Sequence, residues 1–480
     1  MRINRSFVLV ALSAMLLVTS CEKIKDFGDT NVNPNGTAVP STAALLTNVL
    51  SGLGGLAAQT RPGLYAQQFS ETQYTEVSLY ALPQLEFDAG FAGALMDLQN
   101  IININSDATT KANATKFGAN ANQMATARIL KAYILWTTTD RWGDIPYFEA
   151  LKGSANLSPK YDTQEAIYKD LVKELKEAAA QFQPSAAKVL GDIIYGGDIA
   201  KWQKFANSLR MLIALRTSKV YPGANDFGGV EFRAAYEDAR SYIATNTDNF
   251  TIKYPGTVAA FSNPWWALYN GRTDYGESKL MTDLTASLSD PRQAAFGSST
   301  TGFPYGLTRD QAVAFGTSYA TILAANKRDR SSPLVVIGAS DVLLAIAEAA
   351  QRGWVTATVA TVYQNAIAEN WAEWGVTGNL STYMSNASVA LTGAASDLQK
   401  IQLQQYLSFY PDGLQAWSNW RRTGVPVLTP TPNAIGSSKQ IPRRFTYGPN
   451  EYNLNSASVK EATSRLSGGD TPDARVWWDK

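Results

Sequence analysis

The residues best suited to chemistry fall in two short runs. Asp140-Arg141-Trp142-Gly143-Asp144 offers two carboxylates four positions apart. Hydrolysis of a glycosidic bond uses two carboxyl groups flanking the bond, and sequence alone does not show whether these two meet across a cleft. Asx side chains beside Gly are turn builders, so the favoured reading is that Asp140 and Asp144 organise the turn before Ile145-Pro146-Tyr147. The second run is Asn263-Pro264-Trp265-Trp266, continued by Tyr269-Asn270-Gly271-Arg272 and Asp274-Tyr275. Sugar rings present apolar C–H faces rimmed by hydroxyls, so a binder needs flat aromatic platforms with hydrogen-bonding groups at their edges. Trp265, Trp266, Tyr269 and Tyr275 are the candidate platforms, and Asn270 and Arg272 the candidate hydroxyl partners. Adjacent Trp residues need not share a face, so at most one of Trp265 and Trp266 is expected to stack, the other reading being a buried loop anchor. The stretch from Tyr74 to Tyr80 is the next candidate.

Composition removes other chemistries. The 480 residues contain no His, which excludes Ser-His-Asp and Cys-His catalysis and His-ligated metals. No phosphate loop, dinucleotide Gly fingerprint or EF-hand loop occurs, and neither a metal nor a cofactor is expected. Lys plus Arg total 42 against 41 acidic residues, a net charge of +1, so nucleic acid is not an expected partner.

The single cysteine, Cys21, has no partner for an internal disulfide. It follows Arg2 and Arg5, an apolar run from Phe7 to Val18, and Thr19-Ser20, the layout of an export signal. The run is too short for a spanning helix of about 20 residues. A lone Cys after small residues is similar to a bacterial lipoprotein box, in a relaxed version, which implies cleavage before Cys21 and its lipidation. Multiple acyl chains there would anchor the body stably to a membrane. The expected organisation is a signal peptide over 1–20, a lipidated tether and lead-in over 21–40, and a single helical domain over 41–480.

The elements that must position the aromatic window are helices. Ala125, Ile129, Ala132, Tyr133 and Trp136 fall at helical spacing, with Leu130 and Ile134 widening the apolar arc, so this helix is expected to be central. Asp162 and Glu165 suggest a capping box for a helix with Ile167, Leu171, Leu175, Ala178 and Phe182 on one face, ending before Pro184. Further helices are expected from Trp202 to Ile213, Phe232 to Ile243, Val342 to Ala350, Val359 to Trp374 and Leu398 to Phe409. Three second helices share a degenerate spacing, in Gln164/Tyr168/Leu171, Phe232/Tyr236/Ala239 and Val359/Tyr363/Ala366, similar to a tetratricopeptide helix B. Their separations exclude a regular 34-residue array. Irregular insertions are expected at 70–120, 246–338 and 410–480, and long insertions of this kind usually carry function. Trp371 and Trp374 continue a helical stripe, and Trp477 and Trp478 are expected to dock the tail.

Taken in order, Cys21, Phe27-Gly28-Asp29-Thr30-Asn31-Val32-Asn33-Pro34-Asn35, the helix ending in Asp140-Arg141-Trp142-Gly143-Asp144-Ile145-Pro146-Tyr147, Phe205-Ala206-Asn207-Ser208-Leu209-Arg210 and the closing Arg475-Val476-Trp477-Trp478-Asp479-Lys480 resemble the SusD/RagB family, in its SusD-like subfamily. The resemblance runs from Cys21 to the C-terminus. It implies a mainly α body with four tetratricopeptide-like helix pairs, of which the periodicity recovers three. It also implies non-catalytic capture of an oligosaccharide at the cell surface, an outer-membrane lipid anchor, and a SusC-like TonB-dependent transporter as partner. A peptide-binding RagB-like uptake protein and a surface glycoside hydrolase are the alternatives.

Overall fold

The computed structural model describes residues 40–81, 83–436 and 438–480. Cys21 and the expected signal and tether lie outside the described residues. Ser41–Lys480 clusters as one unit. Its first helix, α1 (Thr42–Ala57), starts where the Ser41 hydroxyl accepts the N–H of Ala44 at 3.3 Å. A short α2 (Thr60–Tyr65) and α3 (Met96–Ser106) follow, then α4 (Asn120–Trp142), α5 (Gln164–Gln181), α6 (Ile199–Arg216) and α7 (Phe227–Tyr236). The excursion after α7 holds α8 (Pro264–Leu268), α9 (Lys279–Leu288) and α10 (Arg309–Phe315). The body resumes with α11 (Ala339–Gln351), α12 (Val359–Trp374), α13 (Asp397–Ser408) and α14 (Gly413–Thr423).

Four successive pairs pack together, α4 with α5, α6 with α7, α11 with α12, and α13 with α14, while α5 against α6 and α11 against α13 join pair to pair. The wide apolar arc of α4 has the expected consequence: Ala125, Ile129, Leu130, Tyr133 and Trp136 are all buried. Gly143 ends that helix at φ +91°, its N–H donating to Thr139 O at 2.8 Å.

Three expectations about elements need correction. Thr163, not Asp162, caps α5, its hydroxyl accepting the Ala166 N–H at 3.4 Å. Asp162 instead accepts the N–H groups of Tyr147 and Phe148 at 3.2 and 2.8 Å. The helix expected over 232–243 begins earlier and ends at Tyr236, because Asp238 takes the N–H and guanidinium of Arg240 and turns the chain. The 410–480 segment is not all insertion, since its first part is α14, which completes the fourth pair. That helix carries Leu414, Trp417 and Trp420 at helical spacing, but Gln415, Ser418, Asn419, Arg421 and Arg422 are buried beside them, and so many polar residues conceal a buried helix. Arg421 is buried within it, its guanidinium 3.8 Å from the Trp417 ring centroid and 4.6 Å from that of Trp478.

Strand is sparse. Among the described residues the strands β1 (Phe69–Glu71), β2 (Gln84–Leu85), β3 (Ile145–Pro146), β4 (Tyr161–Asp162), β5 (Phe250–Ile252), β6 (Tyr275–Glu277), β7 (Leu334–Ile337) and β8 (Thr446–Tyr447) form two-stranded ribbons. The antiparallel β1–β6 ribbon matters most for function, because it aligns Phe69 with Glu277 and Glu71 with Tyr275 and so ties two insertions together.

Candidate functional site

The aromatic window is built on α8. The Asn263 side chain accepts the Trp265 N–H at 2.8 Å and donates to Ser332 O at 2.8 Å, and Pro264 occupies the first turn, where its missing N–H costs nothing. This geometry drives Trp265 inward. Its ring is 2% exposed and packs edge-on against Phe69, with centroids 5.5 Å apart. Trp265 is therefore a core anchor and offers no open platform, a correction to its place among the candidates.

The other window residues divide into supports and surface groups. Trp266 is half-buried with the Arg330 guanidinium 4.6 Å from its ring centroid. The Tyr269 ring lies 4.4 Å from the Arg328 guanidinium, and its hydroxyl donates to Tyr275 O at 3.0 Å while accepting the Ile322 N–H at 2.8 Å. Both polar capacities of Tyr269 are thus spent bracing the loop, and burial raises its pKa. Tyr275 is half-buried in β6. Asn270 and Arg272 are exposed, and Arg272 Nε donates to Asp274 at 2.5 Å.

The open aromatic surface comes from segments distant in sequence. Tyr74 is 56% exposed, and its ring centroid is 5.7 Å from the Arg272 guanidinium and 5.6 Å from that of Arg309. Arg309 Nη1 donates to Gln73 O at 3.2 Å, and the Tyr319 hydroxyl donates to Thr273 O at 3.1 Å. Beneath them the buried Phe303 packs edge-on against both Phe315 and Tyr319, each 4.9 Å away between centroids. Phe315 keeps 40% of its surface exposed. Residues 72–80, 269–275 and 303–319 therefore converge on one face carrying Tyr74, Asn270, Arg272, Arg309, Phe315 and Tyr319. Tyr80, in the reserve segment with Tyr74, is instead buried. Arg309, Phe315 and Tyr319 were not singled out by sequence, although they lie in an insertion recognised as aromatic-rich. Their only signal was composition, since irregular loops have no period to reveal a face.

The remaining carboxylates are engaged elsewhere. Asp140 is buried, accepts the hydroxyl of Tyr168, and lies 3.5 Å from Arg216 Nε; burial raises its pKa. Asp144 accepts the Gln164 N–H at 2.8 Å and Arg465 Nε at 2.6 Å. The pair thus braces helices and the C-terminal region rather than only a turn. A cavity of about 210 Å³ behind Trp265 is bordered by Asp341, Glu373 and Asp412. Burial pushes these carboxyls up to about 6, about 8 and about 7 respectively. Asp341 accepts the Ser408 hydroxyl at 2.7 Å, and Asp412 caps α14 through the N–H groups of Leu414 and Gln415.

Fold and surface define a class: a scaffold of packed helix pairs whose long insertions assemble an aromatic face edged by guanidinium groups. The family model described as "Starch-binding associating with outer membrane" matches residues 34–448, and the chain belongs to this SusD-like family. Among solved structures, a chitin-binding protein is 26% identical, with a TM-score of 0.76 over 91% of this chain and 99% of its own. A SusD homologue from Bacteroides uniformis is 24% identical, with a TM-score of 0.78 over 92% of this chain and 99% of its own. A chitin-binding SusD homologue from Flavobacterium johnsoniae is 23% identical, with a TM-score of 0.75 over 92% of this chain and 98% of its own. No curated protein matches the chain. No helix among the described residues is long and apolar enough to cross a membrane.

Proposed function

We propose that this protein captures an oligosaccharide without chemical change, from an outer-membrane position fixed by lipid on Cys21, and delivers it to a SusC-like TonB-dependent transporter. The observation that carries the reading is Tyr74, an exposed ring with two guanidinium groups 5.7 and 5.6 Å from its centroid, on the loops that also carry Tyr319 and Phe315. A ring in that setting stacks on a sugar's C–H face while Arg272, Arg309 and Asn270 reach its hydroxyls. Trp265, Tyr269 and Tyr275 support the face from behind. The family's starch-binding description and the chitin-binding relative, 26% identical, support glycan as the ligand class. The anchor and the transporter rest on the family resemblance and on the position of Cys21.

The test is isothermal titration of the purified protein with chitohexaose and with maltoheptaose, alongside Tyr74→Ala and Tyr319→Ala. A stacking contact contributes on the order of 1 kcal/mol beyond its buried area, so losing the platform should weaken binding about tenfold. Equal affinity in wild type and both variants would move the site elsewhere. Release of shorter sugars during the titration would make the protein a hydrolase.

A further inference from the structure

Tyr74 sits in a segment, residues 72–80, that consists of turns and bends with no helix or strand of its own. The segment leaves β1 and is fastened at once by Thr72, whose N–H donates to Asp274 O at 2.8 Å and whose hydroxyl donates to Thr273 O at 2.5 Å. At its far end the Ile435 N–H donates to Leu79 O at 2.9 Å. Between these points the Leu79 and Tyr80 N–H groups donate to Thr75 O and Val77 O at 3.1 and 3.0 Å, which folds the second half on itself, and a side chain ties that half back to β1. Glu71, the last residue of β1, accepts the Ser78 N–H at 2.8 Å. The chain from 71 to 78 is thereby drawn into a ring that carries the exposed Tyr74. Glu71 is 4% exposed and has no route to a ligand on the surface.

We propose that Glu71 is a positioning residue for the binding face: its carboxyl closes the ring from 71 to 78 and so sets where the Tyr74 side chain stands beside Arg272 and Arg309. The inference rests on Tyr74 being the ligand platform and adds a residue that acts only through it.

The ring also responds to protons. Glu76 on the same segment, Tyr275 opposite in β6, Tyr65 on α2, and Tyr305 share an electrostatic environment with Glu71, and Arg61 acts on Tyr65 and Tyr275. Burial pushes the Glu71 carboxyl up to about 7 against the opposing hydrogen bonds of Ser78, with Glu76 adding to the rise. An opened segment hydrates the carboxyl and returns it toward its ordinary 4.5. Proton loss as the pH rises through about 7 therefore favours the open segment, and the face is set more firmly in mild acid.

Hydrogen–deuterium exchange of the full chain tests this without a ligand, on wild type, Glu71→Ala and Glu71→Gln at about pH 6 and pH 8, corrected for intrinsic exchange. Amides 77–79 should exchange about tenfold faster in Glu71→Ala while the β5–β7 ribbon is unchanged. Wild-type protection at 77–79 should fall between the two pH values, and Glu71→Gln should restore protection and remove that fall. Unchanged exchange in Glu71→Ala, equal acceleration in the β5–β7 ribbon, or the same pH response in Glu71→Gln would each overturn the proposal. Chitohexaose titration then links ring to face: Glu71→Ala should lose as much affinity as Tyr74→Ala, and full wild-type affinity with an open ring would overturn the link. If wild type binds no glycan, the functional reading fails on its own, and the exchange data still decide whether Glu71 closes the ring.

Discussion

The indole of Trp478 donates its Nε1–H to Asp140 Oδ1 at 2.9 Å, joining the end of the chain to the last turns of the central helix across 338 positions. The same carboxylate lies beside Arg216, whose guanidinium is 5.5 Å from the Trp136 ring centroid and 5.6 Å from that of Trp478. Two helices and the C-terminal tail thus meet on one buried charge pair.

Removing one member of that pair leaves the other charge buried and uncompensated. Asp140→Ala should cost about 3–5 kcal/mol of stability in denaturant unfolding, while Asp140→Asn, which keeps an acceptor for Trp478, should cost less. Equal small losses for both would show that the tail does not depend on this carboxylate.

Trp265 and Tyr74 should separate cleanly. Trp265→Ala deletes a ring packed on Phe69 and should lower stability by about 3–5 kcal/mol. Tyr74→Ala should leave the melting temperature unchanged and weaken glycan binding about tenfold. The opposite pattern would place the binding surface on α8.

Stability should pass through a maximum in mild acid. Burial holds the carboxyls of Asp341, Glu71, Asp412, Glu277 and Glu373 up at about 6, 7, 7, 8 and 8. Their contribution is complete below the unfolded values of 3.8 to 4.5 and is lost as the pH rises through the folded ones. Glu348 opposes this: against its burial, Arg422 and Arg352 hold it well below the usual range. That contribution is present above 4.5 and lost as the pH falls toward the folded value. Melting temperature measured from about pH 3 to pH 9 should peak at about pH 4, where the Glu348 contribution gives way to the loss from the five raised carboxyls, and Glu277→Gln should flatten the alkaline limb. A curve still rising at pH 8 would contradict these assignments.

Cys21→Ser should move the protein from the membrane fraction to the soluble one with its melting temperature unchanged, because the anchor precedes the helical unit that begins at Ser41. Retention of the folded variant in membranes would remove the lipid assignment.

Much of the scaffold was legible because helices carry a period. The spacing of Ala125, Ile129 and Trp136 located α4, and the run from Val359 to Trp374 matches α12 end to end. Motif order also revealed the family, and the docked tail followed from two Trp residues beside charges. Sequence did not locate α14, whose apolar Leu414, Trp417 and Trp420 are interleaved with polar residues that are buried as well, Arg421 against the Trp417 ring among them. Nor did it sort the window: Trp265 and Trp266 are adjacent and chemically alike, yet the turn set by Asn263 sends the first into the core and leaves the second half-buried. The exposed face lay further from reach still. Tyr74, Arg272 and Arg309 are up to 235 positions apart, and long-range contacts such as the β1–β6 ribbon and the bond from Arg309 to Gln73 O bring them together, since loops have no local rule for where a side chain points.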